Sequence, residues 1–290
     1  MKITPYIPSL MSSFYLWLDH EILQRGSAFT VFSGKMYSGI DYNYSNAITF
    51  NSPFRQWVSD SSVSGAVIPS GVYANGNFMS RGTSGLSLNF NKAQAIFTGI
   101  PNAANLNITA RYSVKDFNIY YTDEREENLL FENRAYLAPK FNKITGGLYA
   151  DDQPYPCIYI KNTSYENKPF TFGGQDQTKT TIRCILLSDS IYLLDGAISI
   201  MADSARKVFP IIPTSGIPYN YYGDFKSGSS YNYTGLAYYC QQNFPTNTVY
   251  IDRVTVSRLD EIKNKHINLK TVAAIVDFEL WQARSPRQYS

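Results

Sequence analysis

The sequence predicts a mainly β protein of the α+β class, and three observations lead to this prediction. The 290 residues include 24 Tyr and 17 Phe, which favour the pleated, half-buried surfaces of strands. Hydrophobic and polar residues alternate with a period of two between about residues 27 and 140. After a stretch rich in Pro and Gly, short apolar runs surround one long amphipathic pattern. We therefore predict an N-terminal helical segment at 1–26, a β-sandwich domain at 27–140, a linker at 141–156 and an α+β domain at 157–290.

The N-terminal helix is predicted over residues 10–24. Apolar residues recur there at helical spacing, at Leu10, Phe14, Trp17, Leu18 and Ile22. Pro8 and Ser9 suit the start of a helix, and Gly26 suits its end.

Short strands joined by tight turns predict the β-sandwich. Asn75-Gly76 lies between 72–74 and 77–79 and is typical of a type I′ hairpin. Residues 86–90 alternate cleanly, and 93–97 follow a short turn. Further strands are predicted at 106–110 and 117–120. Several such strands in succession indicate a sandwich or a barrel.

The α+β domain is predicted as a mixed sheet with one long packed helix. The strands are expected at 157–160, 180–187, 249–256 and 271–281. The helix is predicted from Ser190 to about Val208, with a wide apolar face that runs from Leu193 to Phe209, and Pro210 and Pro213 are expected to end it.

Composition argues against several classes of function. The formal net charge is only +3 and no cluster of Lys and Arg occurs, so we expect no direct sequence-specific nucleic-acid binding. No apolar stretch is long enough for a membrane span, and the first residues lack the apolar run of a signal peptide. We expect no membrane attachment and no secretion.

Cys157, Cys184 and Cys240 are far apart and odd in number, which predicts free thiols.

The residues that usually carry catalysis are sparse, and we predict no catalytic, cofactor or metal site. His20 and His266 are the two histidines, and both are interpreted as surface residues. The run Phe172–Asp176 precedes a strand and not a helix, which favours a turn over a phosphate loop. The acidic run Asp123–Glu127 is interpreted as a solvated hairpin tip and not as a pair of catalytic carboxylates. Asp151-Asp152 alone does not make a calcium loop.

The tyrosine-rich segment, residues 210–240, is the candidate for function. It is too long and too aromatic for an idle loop. Three interpretations remain open: its aromatic side chains contact a neighbouring subunit, they stack on sugars or bases, or they fold back on their own domain. The first predicts an arm that contacts an adjacent copy, with the candidate contact residues Tyr219, Tyr221, Tyr222, Phe225, Tyr231 and Tyr233.

Several stretches resemble virion structural proteins of tailed phages. They are Thr4–Pro8, the helix residues Phe14–His20, Gly71–Phe78, Lys115–Tyr120 and Phe172–Asp176. The predicted order of strand, helix and sheet at 157–281 is also similar, at the level of fold, to neck and tail-terminator subunits, which form rings at the head–tail junction.

The resemblance implies a non-enzymatic structural subunit of a tailed-phage particle, one that forms rings as a neck, tail-terminator or head–tail connector component. Its partners would be copies of itself and other virion proteins. It would be made in the host cytoplasm and would reside in the virion. The alternative is a receptor- or carbohydrate-binding β-sandwich module of a tail or baseplate, which a shallow aromatic groove would favour.

Overall fold

The structure, a computed structural model, confirms a mainly β chain with an N-terminal helix. It describes residues 6–44, 46–82, 85–99, 105–131, 154–169, 176–219, 226, 231–263 and 270–284. The elements follow one another as α1 (Tyr6–Gly26), β1 (Phe29–Lys35), β2 (Tyr37–Gly39), β3 (Ala47–Asn51), β4 (Gly71–Ala74), β5 (Asn77–Ser80), β6 (Leu86–Asn89), β7 (Gln94–Thr98), β8 (Ile108–Lys115), β9 (Asn118–Tyr121), α2 (Glu126–Phe131), β10 (Cys157–Pro169), β11 (Asp176–Ser188), α3 (Ile191–Ala202), β12 (Val208–Pro210), α4 (Tyr233–Asn243), β13 (Thr248–Lys263) and β14 (Lys270–Arg284).

Helix α1 is longer than predicted and is buried over much of its length. All five residues of the predicted apolar stripe lie in the core. Phe14 packs edge-on against Phe278 of β14 at a centroid distance of 5.0 Å, and Trp17 stacks on Phe209 of β12 at 5.3 Å. Asp19 forms an ion pair with Lys115 of β8. The helix therefore joins the sandwich strands to the sheet of the C-terminal half.

Two four-stranded antiparallel sheets form the predicted sandwich. Their strand orders are β1-β8-β4-β5 and β2-β3-β7-β6, and apolar residues of both sheets belong to one core. The hairpin between β4 and β5 is confirmed: Asn75 and Gly76 have φ values of 49° and 85°, the two positive angles that a type I′ turn requires.

A six-stranded mixed sheet with the order β12-β13-β14-β11-β10-β9 forms the second part of the fold. Its strands pair antiparallel except β9, which runs parallel to β10 with Asn118 opposite Cys157. Strand β9 lies within the segment assigned to the sandwich domain, yet its hydrogen bonds join it to the second sheet. The predicted linker at 141–156 lies outside the described residues except for 154–156.

The long helix of the C-terminal half is shorter than predicted. Ser190 caps its N-terminus, and the helix ends at Ala202. Residues 203–206 form a turn in which Arg206 has a φ of 66°, a left-handed conformation that stops a helix. The prediction that it continues through Val208 was therefore wrong. Val208 and Phe209 form strand β12, which pairs with β13.

The acidic run at 123–127 is not a hairpin tip, and this prediction was also wrong. Its last two residues begin the short helix α2. Glu126 accepts a hydrogen bond from Arg183 at 2.7 Å, and the same guanidinium binds Asp277 of β14 through two further bonds. The reason is electrostatic: Arg183, on β11, supplies a cation that holds the acidic residues against the sheet.

All three cysteines are free and buried, as predicted. Burial raises the pKa of the Cys157 and Cys184 thiols, and also that of Cys240. The thiolate is the reactive form, so these thiols should be inert in the folded protein. Titration with a thiol reagent should count three after denaturation without reductant, and close to none in native buffer. A denatured count of one would reveal a disulfide and contradict the prediction.

Candidate interaction surface

The tyrosine-rich segment does not present all of its predicted contact residues to a neighbour. Tyr231 and Tyr233 are 2% and 5% exposed, and both belong to the core of their own chain. Tyr219 packs against that core and lies 5.8 Å from the Tyr231 ring. Packing within the chain already covers the Tyr231 and Tyr233 rings, so these two offer little surface to a neighbouring subunit. Tyr219 is only partly buried, and its assignment to a subunit contact stays a prediction. Tyr221, Tyr222 and Phe225 lie outside the described residues.

Three tyrosines of the tyrosine-rich segment, Tyr219, Tyr231 and Tyr233, are fixed on one loop, residues 59–62. The Tyr219 hydroxyl is hydrogen-bonded to Ser59 Oγ. Ser61 donates from its backbone nitrogen and its hydroxyl to the Tyr231 carbonyl oxygen, at 2.8 and 2.7 Å. Asp60 Oδ1 accepts a hydrogen bond from the Tyr233 backbone nitrogen at 2.9 Å. The loop therefore holds Tyr219, Tyr231 and Tyr233 together at one place on the core.

Asp60 is the centre of this attachment. Its side chain is fully buried, and Oδ2 lies 2.8 Å from His20 Nδ1 on α1. Oδ1 also accepts bonds from the Ser62 backbone nitrogen and hydroxyl, at 2.9 and 2.6 Å. Burial alone raises the pKa of Asp60, but these donors outweigh it and lower the pKa below its usual value. Asp60 is therefore held as a carboxylate.

A second buried charge pair lies beside the first. Lys115 Nζ is 2.7 Å from Asp19 Oδ1, and the two side chains are only 3% and 4% exposed. The Lys115 ammonium also lies 5.8 Å from the centre of the Tyr15 ring. Burial raises the pKa of Asp19, and the charge of Lys115 opposes this rise. These groups join α1 to β8 and leave little access for a substrate.

The His20–Asp60 pair with Ser62 does not have the geometry of a catalytic triad. In a triad the carboxylate and the nucleophile contact opposite ring nitrogens of the histidine. Here both Asp60 Oδ2 and Ser62 Oγ are nearest to Nδ1, at 2.8 and 3.5 Å. The Ser62 hydroxyl donates to Asp60 and not to the ring. His20, whose side chain is 14% exposed, is thus a partly buried structural residue, and the prediction that it is a plain surface residue was wrong. His266 lies outside the described residues.

One group of exposed aromatic residues lies on α4, which begins inside the segment predicted to be an arm. Asn232 caps this helix by accepting a hydrogen bond from the Gly235 backbone nitrogen at 2.8 Å. The inner face repeats at helical spacing, through Tyr233, Leu236, Ala237 and Cys240. That spacing, together with the cap, could have identified the helix.

The outer face of α4 and the turn after it form what we call the α4 surface: Tyr238, Tyr239 and Phe244. These side chains are 64%, 55% and 40% exposed, and the Tyr239 and Phe244 rings are 6.4 Å apart. No charged residue occurs between Lys226 and Asp252 in the sequence. Protein interfaces are enriched in aromatic residues and their centres are depleted of charge, so this surface has the composition of an interface.

A second exposed aromatic group, the hairpin pair, lies on the sandwich. Tyr73 of β4 and Phe78 of β5 face each other across the hairpin with ring centroids 5.3 Å apart, and each ring is about half exposed. Strand β5 is at the edge of its sheet, and residues 71–80 carry no charge. The hairpin pair is part of a sandwich sheet, whereas the α4 surface lies on a helix that packs against β12 of the six-stranded sheet.

Metal-ligating side chains are not grouped in the part of the chain that the structure describes. No set of three or more His, Cys, Asp or Glu residues in that part is arranged to hold a metal ion. Among the same residues, no helix combines the length and hydrophobicity of a membrane span.

The sequence matches no family model and no curated protein. The tailed-phage resemblance therefore remains a prediction from the segments that carry it. What the structure contributes is the position of the aromatic residues: some fix the tyrosine-rich segment to its own core, and others are left exposed on the α4 surface and the hairpin pair.

Proposed function

We propose that this chain is a non-enzymatic structural subunit of a tailed-phage particle, a neck, tail-terminator or connector component that assembles into a ring. The observation that carries the assembly part is the α4 surface, an exposed aromatic helix face in a stretch without charge. The particle itself is proposed from the sequence resemblance. In this proposal the α4 surface of one copy contacts the hairpin pair of the next.

Two different surfaces are what a ring requires. A contact between unlike surfaces continues from copy to copy and closes when the rotation permits, whereas a contact between two like surfaces stops at a dimer. The α4 surface and the hairpin pair are unlike in structure, one a helix face and the other an edge hairpin, and both are aromatic and uncharged. This arrangement favours a ring over a symmetric dimer.

The energy of one such contact is modest. Full burial of an aromatic side chain contributes about 1.5–3 kcal/mol, and the three residues of the α4 surface are already partly covered. Association costs about 4–15 kcal/mol in lost translational and rotational freedom. A pair of copies should therefore associate weakly, and a closed ring, in which every copy makes two contacts, should form only at higher concentration.

Removing the aromatic rings of the α4 surface should weaken assembly. We expect the triple variant Tyr238→Ser/Tyr239→Ser/Phe244→Ser to raise the concentration of half-assembly by at least about tenfold, which corresponds to about 1.4 kcal/mol. The melting temperature should change little, because exposed side chains contribute little to stability. Sedimentation velocity over a range of concentrations measures the assembly, and circular dichroism measures the melting.

Tyr42→Ser is the matched control, because Tyr42 is 90% exposed and lies in neither aromatic surface. It should assemble like the wild type. A double variant of the hairpin pair, Tyr73→Ser/Phe78→Ser, should resemble the α4 triple variant. The proposal fails if the wild type remains monomeric at every concentration, or if both sets of variants assemble as the wild type does.

A further inference from the structure

A groove on the outer face of the β2-β3-β7-β6 sheet lies apart from both aromatic surfaces. Along these strands, Leu86, Leu88 and Phe97 point into the sandwich core. By the alternation of strand side chains, Ser87, Ile96 and Thr98 point to the opposite face. The turn after β2 folds over that face, and the space between turn and sheet is about 430 Å³, within the range of small-ligand sites.

The groove is lined by neutral polar groups and by an apolar floor. The turn contributes Asn43, Tyr44 and Asn46, and the sheet contributes Ser87 and Thr98 beside Ala47 and Ile96. Side-chain amides and hydroxyls both donate and accept hydrogen bonds. The side chains of Asn46, Ser87 and Thr98 make no hydrogen bond to another residue in the part of the chain that the structure describes.

The turn is held in place before any ligand arrives. Asp41 is buried, and its Oδ1 accepts bonds from the backbone nitrogen and the side-chain amide of Asn43, at 3.0 and 2.8 Å. Tyr44 Oη accepts a bond from Asn89 Nδ2 of β6 at 3.1 Å. One N–H of the Asn43 amide is bound to Asp41, which orients the amide so that its oxygen and its second N–H are left for a ligand. A preorganised site loses less conformational entropy on binding.

Charge selects against an ionic ligand. None of the residues that line the groove is charged. The Asp41 carboxylate in the turn is neutralised by Lys92, whose Nζ lies 2.9 Å from Asp41 Oδ2. Among the described lining residues, a phosphate or an acidic sugar would find no cation to bind. A ligand rich in hydroxyl groups, each both donor and acceptor, matches the amides and hydroxyls of the lining.

We propose that this groove binds a neutral saccharide. The amides of Asn43 and Asn46 and the hydroxyls of Ser87 and Thr98 would bind its hydroxyl groups, and Ile96 would contact an apolar ring face. Tyr42, in the same turn and 90% exposed, would stack on an adjoining sugar ring, since aromatic rings stack on flat ligand surfaces. This function goes beyond assembly and does not depend on it.

The test measures binding of neutral hexasaccharides of glucose, galactose, mannose or N-acetylglucosamine by titration calorimetry and saturation-transfer NMR, with a sulfated hexasaccharide for comparison. We expect at least one neutral hexasaccharide to bind, and the sulfated one to bind more weakly. The double variant Tyr42→Ala/Asn46→Ala should weaken binding by roughly tenfold, the combined effect of a lost stack and a lost hydrogen bond. Both residues are exposed, so the variant should fold, and its melting curve checks this.

Tyr238→Ala is the control, since it removes an exposed tyrosine from the α4 surface and should leave saccharide binding unchanged. Thr98→Trp, which places a large side chain in the groove, should abolish binding. The proposal is overturned if no neutral hexasaccharide binds, if the sulfated one binds best, or if the Tyr42/Asn46 and Thr98 variants bind like the wild type. Assembly is measured separately by sedimentation, so loss of one function is distinguishable from loss of the other.

Discussion

Replacing Lys115 with Met should lower the free energy of unfolding by about 3–5 kcal/mol at pH 7, the usual cost of removing one partner of a buried ion pair. Met retains the length of the lysine stem, so packing changes little. Asp19, only 4% exposed, would lose the ammonium group that lies 2.7 Å from its carboxylate. Urea unfolding, followed by tryptophan fluorescence, measures the change, because Trp17 lies on the same helix as Asp19.

The loss in the free energy of unfolding caused by Lys115→Met should decrease as the pH falls. Burial raises the pKa of Asp19, and loss of the Lys115 charge would raise it further. A carboxyl whose pKa is higher in the folded than in the unfolded state binds more protons when folded, so lowering the pH stabilises the variant. A cost that is the same at pH 7 and pH 4 would contradict this account.

The double variant Asp19→Leu/Lys115→Met tests whether the lost stability comes from the unpaired Asp19 carboxylate. With both charges removed, no uncompensated carboxylate remains, and much of the lost stability should return. Arg253→Met is the surface control. Its guanidinium pairs with Glu279 in an exposed position, where ion pairs contribute little, and this variant should unfold like the wild type.

Local features of the fold could be predicted because neighbouring residues determine them. The apolar stripe of α1 and the Asn75-Gly76 turn need only short-range sequence information, and both were predicted correctly. The end of α3 was not. The apolar pattern continues past Ala202 into Phe209, and nothing in it shows that Phe209 packs against Trp17 from a strand.

The period-two alternation of a strand does not show which distant strand it pairs with. Strand β9 has the same alternation as the sandwich strands, but its partner is β10, which begins 36 residues after β9 ends, from Tyr121 to Cys157. The buried charge pairs share this difficulty. His20 and Asp60 are 40 residues apart in the chain, and each alone has the appearance of an ordinary surface residue.

Two of the tyrosines predicted as contact residues, Tyr231 and Tyr233, are buried in their own chain. Composition identified the tyrosine-rich segment, yet it does not distinguish a buried tyrosine from an exposed one. Helical spacing would have done so: Tyr233 and Cys240 fall on one face of α4 and are buried, while Tyr238 and Tyr239 fall on the other and are exposed. Asn232 is a preferred type of helix cap, and it marks where the helical spacing begins.

Replacing Asp60 with Ala should lower the free energy of unfolding about as much as Lys115→Met does. The loss should be greatest in α4, the helix that carries the surface proposed for assembly. The Tyr233 and Ser62 backbone nitrogens would lose their acceptor, and each unsatisfied buried donor costs about 1–3 kcal/mol. A total loss on the order of 3 kcal/mol follows. Since Tyr233 begins α4, amide hydrogen exchange in α4 should accelerate more than exchange in β6 and β7, and assembly should weaken with it.

The conservative variant Asp60→Asn tests whether the charge of Asp60 holds this segment. The pKa of Asp60 is lower in the folded protein than its usual value, so the unfolded state binds more protons. The stability that the carboxylate contributes is therefore present above the unfolded pKa, about 3.9, and is lost as the pH falls through the folded pKa. Wild type should exceed Asp60→Asn in stability at pH 7, and the difference should narrow below about pH 4. Titration of Asp19 occurs in both proteins and largely cancels in the difference. If the difference is as large at pH 3 as at pH 7, an ionised Asp60 does not hold the tyrosine-rich segment to the core.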